Sequence, residues 1–251
     1  MNKRKTINLL TTCASALLWL VVWEILAHIL DFEVIFPGPI QTFITLGNLI
    51  TTFTFWKTVL LSIARILAGL LIGIAVGIIM TTFCKLLPFT YHFISIGMTV
   101  IKSTPVASIV LILWVIIGSA SLPTLIGVLM VAPIVWQNLI DGLNSVDKQL
   151  IEVADVFGFS KKKRIKLIYL PVLKKYFIPA LLTSIGLCWK SGIAAEIIAY
   201  TKYSIGKNIV DAKSYFEGDV MLAWTFVVVM LSLAFEYLVK FLLRRLSKRN
   251  A

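Results

Sequence analysis

Residues 58–83, TVLLSIARILAGLLIGIAVGIIMTTF, are apolar over a length that is unusual for a helix of a soluble protein. A helix needs about 20 mostly apolar residues to cross the hydrocarbon core of a bilayer, which is about 30 Å thick. Arg65 is the charged residue of this segment, and Gly69, Gly73 and Gly77 share one helix face because they recur at every fourth position. The segment therefore predicts a membrane-spanning helix with a small-residue face for close helix packing.

The composition of the chain extends this conclusion to the whole protein. Residues of the set AVILMFWYC make up 59% of the 251 residues, 14% are charged, and the mean hydropathy is +0.94. A soluble domain averages about 45–50% apolar and about 25% charged residues. The excess of 24 Lys and Arg over 12 Asp and Glu is typical of membrane proteins, which concentrate basic residues in cytoplasmic loops. We therefore expect the lipid bilayer as a partner and no nucleic acid.

The same length criterion predicts about six membrane spans, and hence an all-α polytopic membrane protein. The predicted spans are residues 9–30, 58–83, 89–117, 122–140, 177–200 and 220–243. Pro105 predicts a bent or broken third span near residues 102–105, because proline lacks a backbone N–H and restricts the residue before it. We divide the chain into an N-terminal segment with the first span and an external loop (1–57), a transmembrane domain (58–243) and a basic tail (244–251).

The basic residues of the loops predict the orientation of the chain. An even number of spans places both termini on one side, together with the loop 141–176 between the fourth and fifth spans. The basic residues of this loop are Lys148, Lys161, Lys162, Lys163, Arg164, Lys166, Lys174 and Lys175. The opposite side receives Lys57, Lys202, Lys207 and Lys213, together with Asp31, Glu33, Asp211, Glu217 and Asp219. Both termini and the loop 141–176 are therefore expected in the cytoplasm.

The loop 141–176 also contains a helical motif. Apolar residues at helical spacing predict a short amphipathic helix that Gly158 ends, and Ser160 is placed to cap a second, basic helix. We expect Gly158 either to have a positive φ or to lie too close to a neighbour for a Cβ. A membrane-surface helix that its lysines attract to anionic lipid is the alternative interpretation of this loop.

The spacing of the motif resembles the EAA loop of the membrane subunits of binding-protein-dependent ABC importers. The matching positions are Glu152, Val153, Ala154, Gly158, Ile168, Leu170 and Pro171. Val153 departs from the family pattern, which usually has Ala there. Similarity to the nitrate, sulfonate and taurine branch extends over most of the chain, through Ser62, Arg65, Gly69, Gly73 and Gly77, through Pro105, Ala107, Leu113, Trp114 and Gly118, and through Ala194, Ala195, Glu196 and Gly206. A second proline that this branch commonly has after Pro105 is absent.

The resemblance implies the type I ABC importer permease fold and a set of partners in the bacterial cytoplasmic membrane. Two permease copies, expected to be a homodimer, form the pore, and an extracytoplasmic solute-binding protein delivers the solute. Two cytoplasmic ATP-binding subunits receive the EAA helices. The residues expected to couple to these ATPases are Glu152, Val153, Ala154, Val156, Phe157, Gly158 and Pro171. The sequence has no GxxxxGK[ST] phosphate cradle, so the chain is not expected to be an enzyme and ATP hydrolysis is expected on another polypeptide.

Polar residues within the predicted spans are candidates for the solute pathway, because a charge at the bilayer centre costs about 2.5–3.5 kcal/mol on insertion scales. The candidates are Lys102, Trp189, Lys190 and Glu196. Lys190 and Glu196 cannot pair on one helix face, since six positions separate them by about 240°. Ion pairs with other helices are an equal alternative to a pathway role for the charged residues, and helix packing is an equal alternative for Trp189. A cationic path would favour an anion such as a sulfonate, taurine or nitrate, and a non-anionic solute such as a thiamine-precursor pyrimidine stays open.

The sequence favours a permease over two other functional classes. An ion-coupled secondary carrier would use Lys190, Glu196, Glu24 and His28, but the chain shows no clear internal repeat of the kind that such carriers often have. A membrane-embedded enzyme is disfavoured because no HExxH or GxSxG motif is present. The three cysteines stand far apart in apolar surroundings, so we expect buried packing residues, no metal site and no cofactor.

Overall fold

The computed structural model describes residues 3–30 and 34–249 of the chain. Their regular structure is helical throughout and includes one π-helical turn, Ile165–Tyr169. The α-helices are α1 (Lys3–Leu30), α2 (Pro39–Ile50), α3 (Phe53–Leu86), α4 (Thr90–Ser103), α5 (Val106–Ile117), α6 (Leu122–Asn144), α7 (Lys148–Val156), α8 (Lys161–Arg164), α9 (Leu170–Ile198), α10 (Ile205–Ser214) and α11 (Gly218–Arg249). The backbone of α11 thus continues as helix into the segment expected to be a tail.

Among the described residues, 4 helices are long and apolar enough to cross a membrane. They are Phe53–Leu86, Leu122–Asn144, Lys161–Ile198 and Gly218–Leu243. The third predicted span is broken where expected: α4 and α5 meet at 103° on either side of Thr104 and Pro105. The first predicted span falls on α1, whose described apolar part is Leu17–Ile29, and the side chains of residues 3–10 lie outside the described part.

The core of the molecule is formed by α3, α6 and α9. A Cβ built at Gly69 would lie 2.7 Å from the carbonyl oxygen of Thr124 on α6. Cβ atoms built at Gly73 and Gly77 would each lie 2.7 Å from the Cβ of a valine on α6. These distances leave no room for a side chain, so the absence of side chains at the three glycines permits the close approach of α3 and α6.

Two cysteines pack inside this helical body. Cys84 receives a hydrogen bond from the indole nitrogen of Trp136, with 3.4 Å between Nε1 and Sγ. The Sγ of Cys188 lies 3.4 Å from the carbonyl oxygen of Ile66, where α9 meets α3. Both are buried, as predicted, whereas the side chain of Cys13 lies outside the described part of the structure.

We predict that Gly69→Ala will destabilise the protein by about 1–3 kcal/mol, the usual cost of overpacking a core. The new methyl group would meet backbone atoms of α6, which cannot rotate away as a side chain can. Thermal unfolding of the detergent-solubilised protein measures the effect. Gly97→Ala on α4 is the matched control, because a Cβ there meets nothing within 4 Å. An equal loss of stability in both variants would contradict the proposed packing role.

Candidate coupling loop and intramembrane site

The loop between α6 and α9 folds into two short helices with defined ends. Asp147 begins α7, since its Oδ1 accepts a hydrogen bond of 2.8 Å from the N–H of Gln149. Ser160 begins α8 and accepts a hydrogen bond of 3.4 Å from the N–H of Lys163. The cap predicted at Ser160 is therefore confirmed.

Gly158 ends α7 in a left-handed conformation, with φ of 60°. Its N–H donates to the carbonyl of Asp155, and the N–H of Phe159 donates to the carbonyl of Ala154 at 2.9 Å. This pair of bonds is a Schellman motif, which favours glycine because a left-handed backbone crowds a Cβ. The alternative of a close neighbour is wrong, because a Cβ built at Gly158 meets nothing within 4 Å.

The outer face of α7 and its end carry apolar side chains that the rest of the chain leaves uncovered. Val156 is 85% exposed, Phe157 is 73% exposed, and Val153 is also exposed. Glu152 is exposed beside them and forms no ion pair within the part of the chain that the structure describes. This exposed set, Glu152, Val153, Val156 and Phe157, is called the coupling surface below.

Ala154 lies on the opposite face of α7 and is only 1% exposed. It packs with Val146 before the helix and with Ile168 after the basic segment. The Ala154 side chain therefore faces the rest of the chain and not the exposed side of α7. The small side chain instead holds α7 close to the rest of the loop.

An ion pair that the sequence analysis missed fixes α7 relative to α8. Arg164 Nη1 lies 2.5 Å from Oδ1 of Asp155, and Nε of the same arginine donates a hydrogen bond of 3.0 Å to the carbonyl of Phe159. The two charged residues lie on different helices across the turn at Gly158, so helical spacing does not reveal the pair. The pair makes the loop a defined unit.

The loop continues into α9 without a break in the helical path. A single helix of 38 residues, Lys161–Ile198, contains α8, the π-helical turn and α9. The π-helical turn ends two residues before Pro171, which cannot donate the hydrogen bond that a regular α-helix needs there. Pro171 is exposed at the start of α9. After the turn at Gly158, the coupling surface is thus followed by a single helix that runs into the membrane core.

The candidate pathway residues divide into exposed and buried pairs. Lys102 and Lys190 are exposed on the single chain. Trp189 is 2% exposed, and its Nε1 donates a hydrogen bond of 3.1 Å to the carbonyl of Val228 on α11. Glu196 is 0% exposed. Trp189 and Glu196 are therefore buried inside the single chain, which fits the alternatives of helix packing for Trp189 and of an ion pair for Glu196.

Glu196 instead joins α9 to α3 and α10. Its Oε2 accepts a hydrogen bond of 2.9 Å from the hydroxyl of Ser62 and one of 3.2 Å from the N–H of Gly206. Its Oε1 lies 3.6 Å from Nη1 of Arg65. The ion-pair alternative for Glu196 is therefore the one that the structure contains. The pair joins residues 131 positions apart (196 minus 65), so it carries no local sequence signal.

A cavity of about 730 Å³ adjoins this network, between the start of α3, α10 and the start of α11. Phe55 and Trp224 form part of its apolar wall, and Lys207 and Asp211 of α10 contribute charge. Lys207 donates a hydrogen bond to Asp211, and this bond raises the pKa of Lys207 above its ordinary value. The two side chains pair along one face of α10, so they largely neutralise each other at the cavity.

The chain belongs to a known family of membrane proteins. A family model described as "Binding-protein-dependent transport system inner membrane component" matches residues 73–248. In fold, the protein resembles a chain of the solved MetNI methionine ABC transporter in its inward facing conformations, with a TM-score of 0.57 and 19% identity, over 78% of this chain and 94% of that chain. The fold is therefore that of a type I ABC importer permease.

Individual relatives place the chain in one branch of this family. It is 22% identical over 236 residues to the aliphatic sulfonates transport permease SsuC of Bacillus subtilis (strain 168), with 92% of this chain and 85% of that one covered. It is 28% identical over 200 residues to the taurine transport system permease TauC of Escherichia coli (strain K12), with coverage of 77% and 70%. It is 27% identical over 248 residues to the bicarbonate transport system permease CmpB of Synechococcus elongatus, with coverage of 90% and 85%. The chain is a multi-pass ABC importer permease of the nitrate, sulfonate and taurine branch.

We predict that Gly158→Val will loosen the end of α7, because a left-handed backbone costs a residue with a Cβ about 1–2 kcal/mol. Trypsin cleavage after Lys161 in the isolated protein should be about 5–30-fold faster than in the wild type. Gly158→Asn is the matched control, since asparagine tolerates this conformation. Equal cleavage rates in the valine and asparagine variants would show that the positive φ has no structural importance.

Proposed function

We propose that two copies of this chain form the solute pathway of an ATP-driven importer for a small anion. The coupling surface binds cytoplasmic ATPase subunits, and an extracytoplasmic binding protein delivers the solute. The observation that carries the proposal is the family match over residues 73–248, which includes α7 and its surroundings. ATP hydrolysis belongs to the partner subunits, and this chain supplies the path and the contact that moves it.

The exposed coupling surface supports the docking of an ATPase. Large apolar side chains that lie in water mark a contact site when they cluster, and Val156 and Phe157 are adjacent. An amphipathic helix can place such residues in the groove of a partner, while charged neighbours set its orientation. Glu152 and the exposed Lys161 and Lys162 lie within the same loop and can serve this purpose.

An anionic solute is favoured by the relatives and by two lysines. The printed names of the relatives concern aliphatic sulfonates, taurine and bicarbonate. Lys102 in α4 and Lys190 in α9 are exposed on the single chain. Pores lined with cations favour anions. Sulfonates, taurine and nitrate are therefore the solutes to test first, and transport of a neutral pyrimidine would correct this choice.

A secondary carrier gains no support from the residues that it would use. Glu196, the buried carboxylate of the membrane core, is held by Ser62, Arg65 and Gly206 and is 0% exposed. Glu24 and His28 lie on α1 with 3.4 Å between Oε1 and Nε2, so they pair with each other. A coupling ion would have to displace these partners.

We predict that Phe157→Ala will reduce co-purification of the cognate ATPase, because an aromatic anchor buried at an interface commonly contributes more than about 1 kcal/mol to binding. Tagged permease captured from detergent extract gives the ratio of the two subunits. Phe53→Ala is the matched control, since Phe53 is 82% exposed at the start of α3, far from the coupling surface. Unchanged capture in the Phe157 variant would favour a lipid-bound surface helix.

We also predict that both termini and the loop 141–176 face the cytoplasm of a bacterial inner membrane. In a background without the native cysteines, Lys162→Cys should resist an impermeant thiol reagent added to intact cells and react after the cells are opened. Lys213→Cys on α10 should react in intact cells, since Lys213 is exposed on the opposite side of the predicted topology. The reverse labelling pattern would overturn this orientation.

A further inference from the structure

We propose that Ser62, Arg65 and Glu196 form a clamp that fixes α10 to the end of α9, so that α10 follows the movement that the ATPases impose on the coupling loop. The three are positioning residues, because they hold backbone elements and do not contact the solute. The proposal rests on the proposed function, which supplies the source of the movement. It assigns a transmission role to a buried network that the solute pathway does not use.

The clamp acts where the two helices are already in backbone contact. Glu196 lies near the end of α9, and Gly206 is the second residue of α10. A Cβ built at Gly206 would lie 2.5 Å from the Cβ of Glu196 and 2.6 Å from the backbone nitrogen of Ile197. Because no side chain fits between them, the N–H of Gly206 reaches the Glu196 carboxylate directly, at 3.2 Å.

Ser62 connects both helices to α3. Its hydroxyl donates to Glu196 at 2.9 Å and accepts a hydrogen bond of 3.0 Å from the N–H of Ile205, the first residue of α10. The side chains of Ser62 and Glu196 are both fully buried. A buried polar group is stable when its partners are satisfied and costly when one is removed, so this contact resists separation of the helices.

Arg65 holds the turn that connects α9 to α10. Its guanidinium donates to the carbonyl of Lys202 at 3.0 Å and to that of Tyr203 at 3.2 Å, while Nη1 also faces Glu196. Tyr200 and Tyr203 have φ of 50° and 49° in this turn, a conformation that residues with a Cβ rarely adopt. Such backbone persists where its surroundings determine it. Arg65 and Lys57, whose Nζ lies 3.9 Å from the centre of the Tyr203 ring, are parts of those surroundings that α3 contributes.

The clamp connects with the coupling loop because Glu196 lies on the helix that begins in that loop. Lys161–Ile198 runs for 38 residues from the loop at its beginning to Glu196 near its end, a length of roughly 55 Å at about 1.5 Å per residue. A displacement of the loop therefore reaches the turn Tyr200–Ser204 through helix backbone. With the clamp closed, α10 moves with α9, and so does the wall that α10 contributes to the cavity of about 730 Å³. When the contacts of the clamp are broken, α9 moves as far as Ile198 without carrying α10 with it.

The experiment uses the assembled transporter, with its ATPase subunits and binding protein, and compares ATP hydrolysis with and without loaded binding protein. Glu196→Gln removes the charge that faces Arg65, and Gly206→Ala separates α10 from α9 sterically. Both should lower the stimulation of hydrolysis by about two- to thirtyfold, the range of a coupling change of about 0.5–2 kcal/mol. Co-purification of the ATPase should stay at the wild-type level, because the coupling surface is unchanged.

Two further variants separate transmission from folding. Glu236→Gln is the matched control, since it removes the same charge from an exposed pair with Lys240 on α11, and it should leave stimulation intact. Ser62→Ala removes a single hydroxyl from the clamp and tests it if the other variants fail to assemble. Trypsin should cleave after the exposed Lys202 faster in each clamp variant than in wild type. Full stimulation in assembled clamp variants would overturn the proposal, whereas a wild-type chain that binds no ATPase would overturn the proposed function.

Discussion

The contact between α3 and α6 at Gly69, Gly73 and Gly77 is the one on which the rest of the structure depends. Lipid offers no hydrophobic driving force for helix association, so membrane helices depend on van der Waals packing and on hydrogen bonds between helices. The glycines allow both backbones to approach, and α9 then packs against this pair, where Gly192 leaves room for Ile66. The position of α9 fixes the coupling loop at one end and Glu196 at the other.

A single helix therefore connects two regions with different chemistry. Just before this helix begins, α7 exposes apolar side chains that suit a protein partner, and the Schellman motif at Gly158 with the Asp155–Arg164 pair holds α7 in place. At its other end, polar groups are buried: Oε2 of Glu196 accepts two hydrogen bonds, and Oε1 faces Arg65 at 3.6 Å, beyond hydrogen-bond distance. The exposed end offers a surface that a partner protein can bind, and the buried end keeps α9, α3 and α10 together. This division is what a permease needs if force enters on one side and access changes on the other.

Local sequence signals predicted the parts of this structure that depend on local physics. Span length follows from hydropathy, the break in the third span follows from Pro105, and the ends of α7 and α8 follow from Gly158 and Ser160. The pairs Arg65–Glu196 and Asp155–Arg164 were missed, because tertiary folding brings their members together. The burial of Ala154 and of Trp189 could not be predicted either, because residue type does not reveal which face of a helix meets its neighbours. Helix α10 was not predicted: it is short and carries many polar residues, so hydropathy placed it in the loop between the fifth and sixth predicted spans.

Solute uptake into liposomes tests most directly the central claim that this chain passes solute only when an ATPase moves it. The assembled transporter with its binding protein is compared with the purified chain alone, using labelled taurine, an alkanesulfonate, nitrate and bicarbonate in turn, with enclosed ATP or with an imposed ion gradient. The predicted result is uptake of at least one anion by the assembled transporter that requires ATP, and none by the chain alone under either condition. Gradient-driven uptake by the chain alone would contradict the claim and identify a secondary carrier.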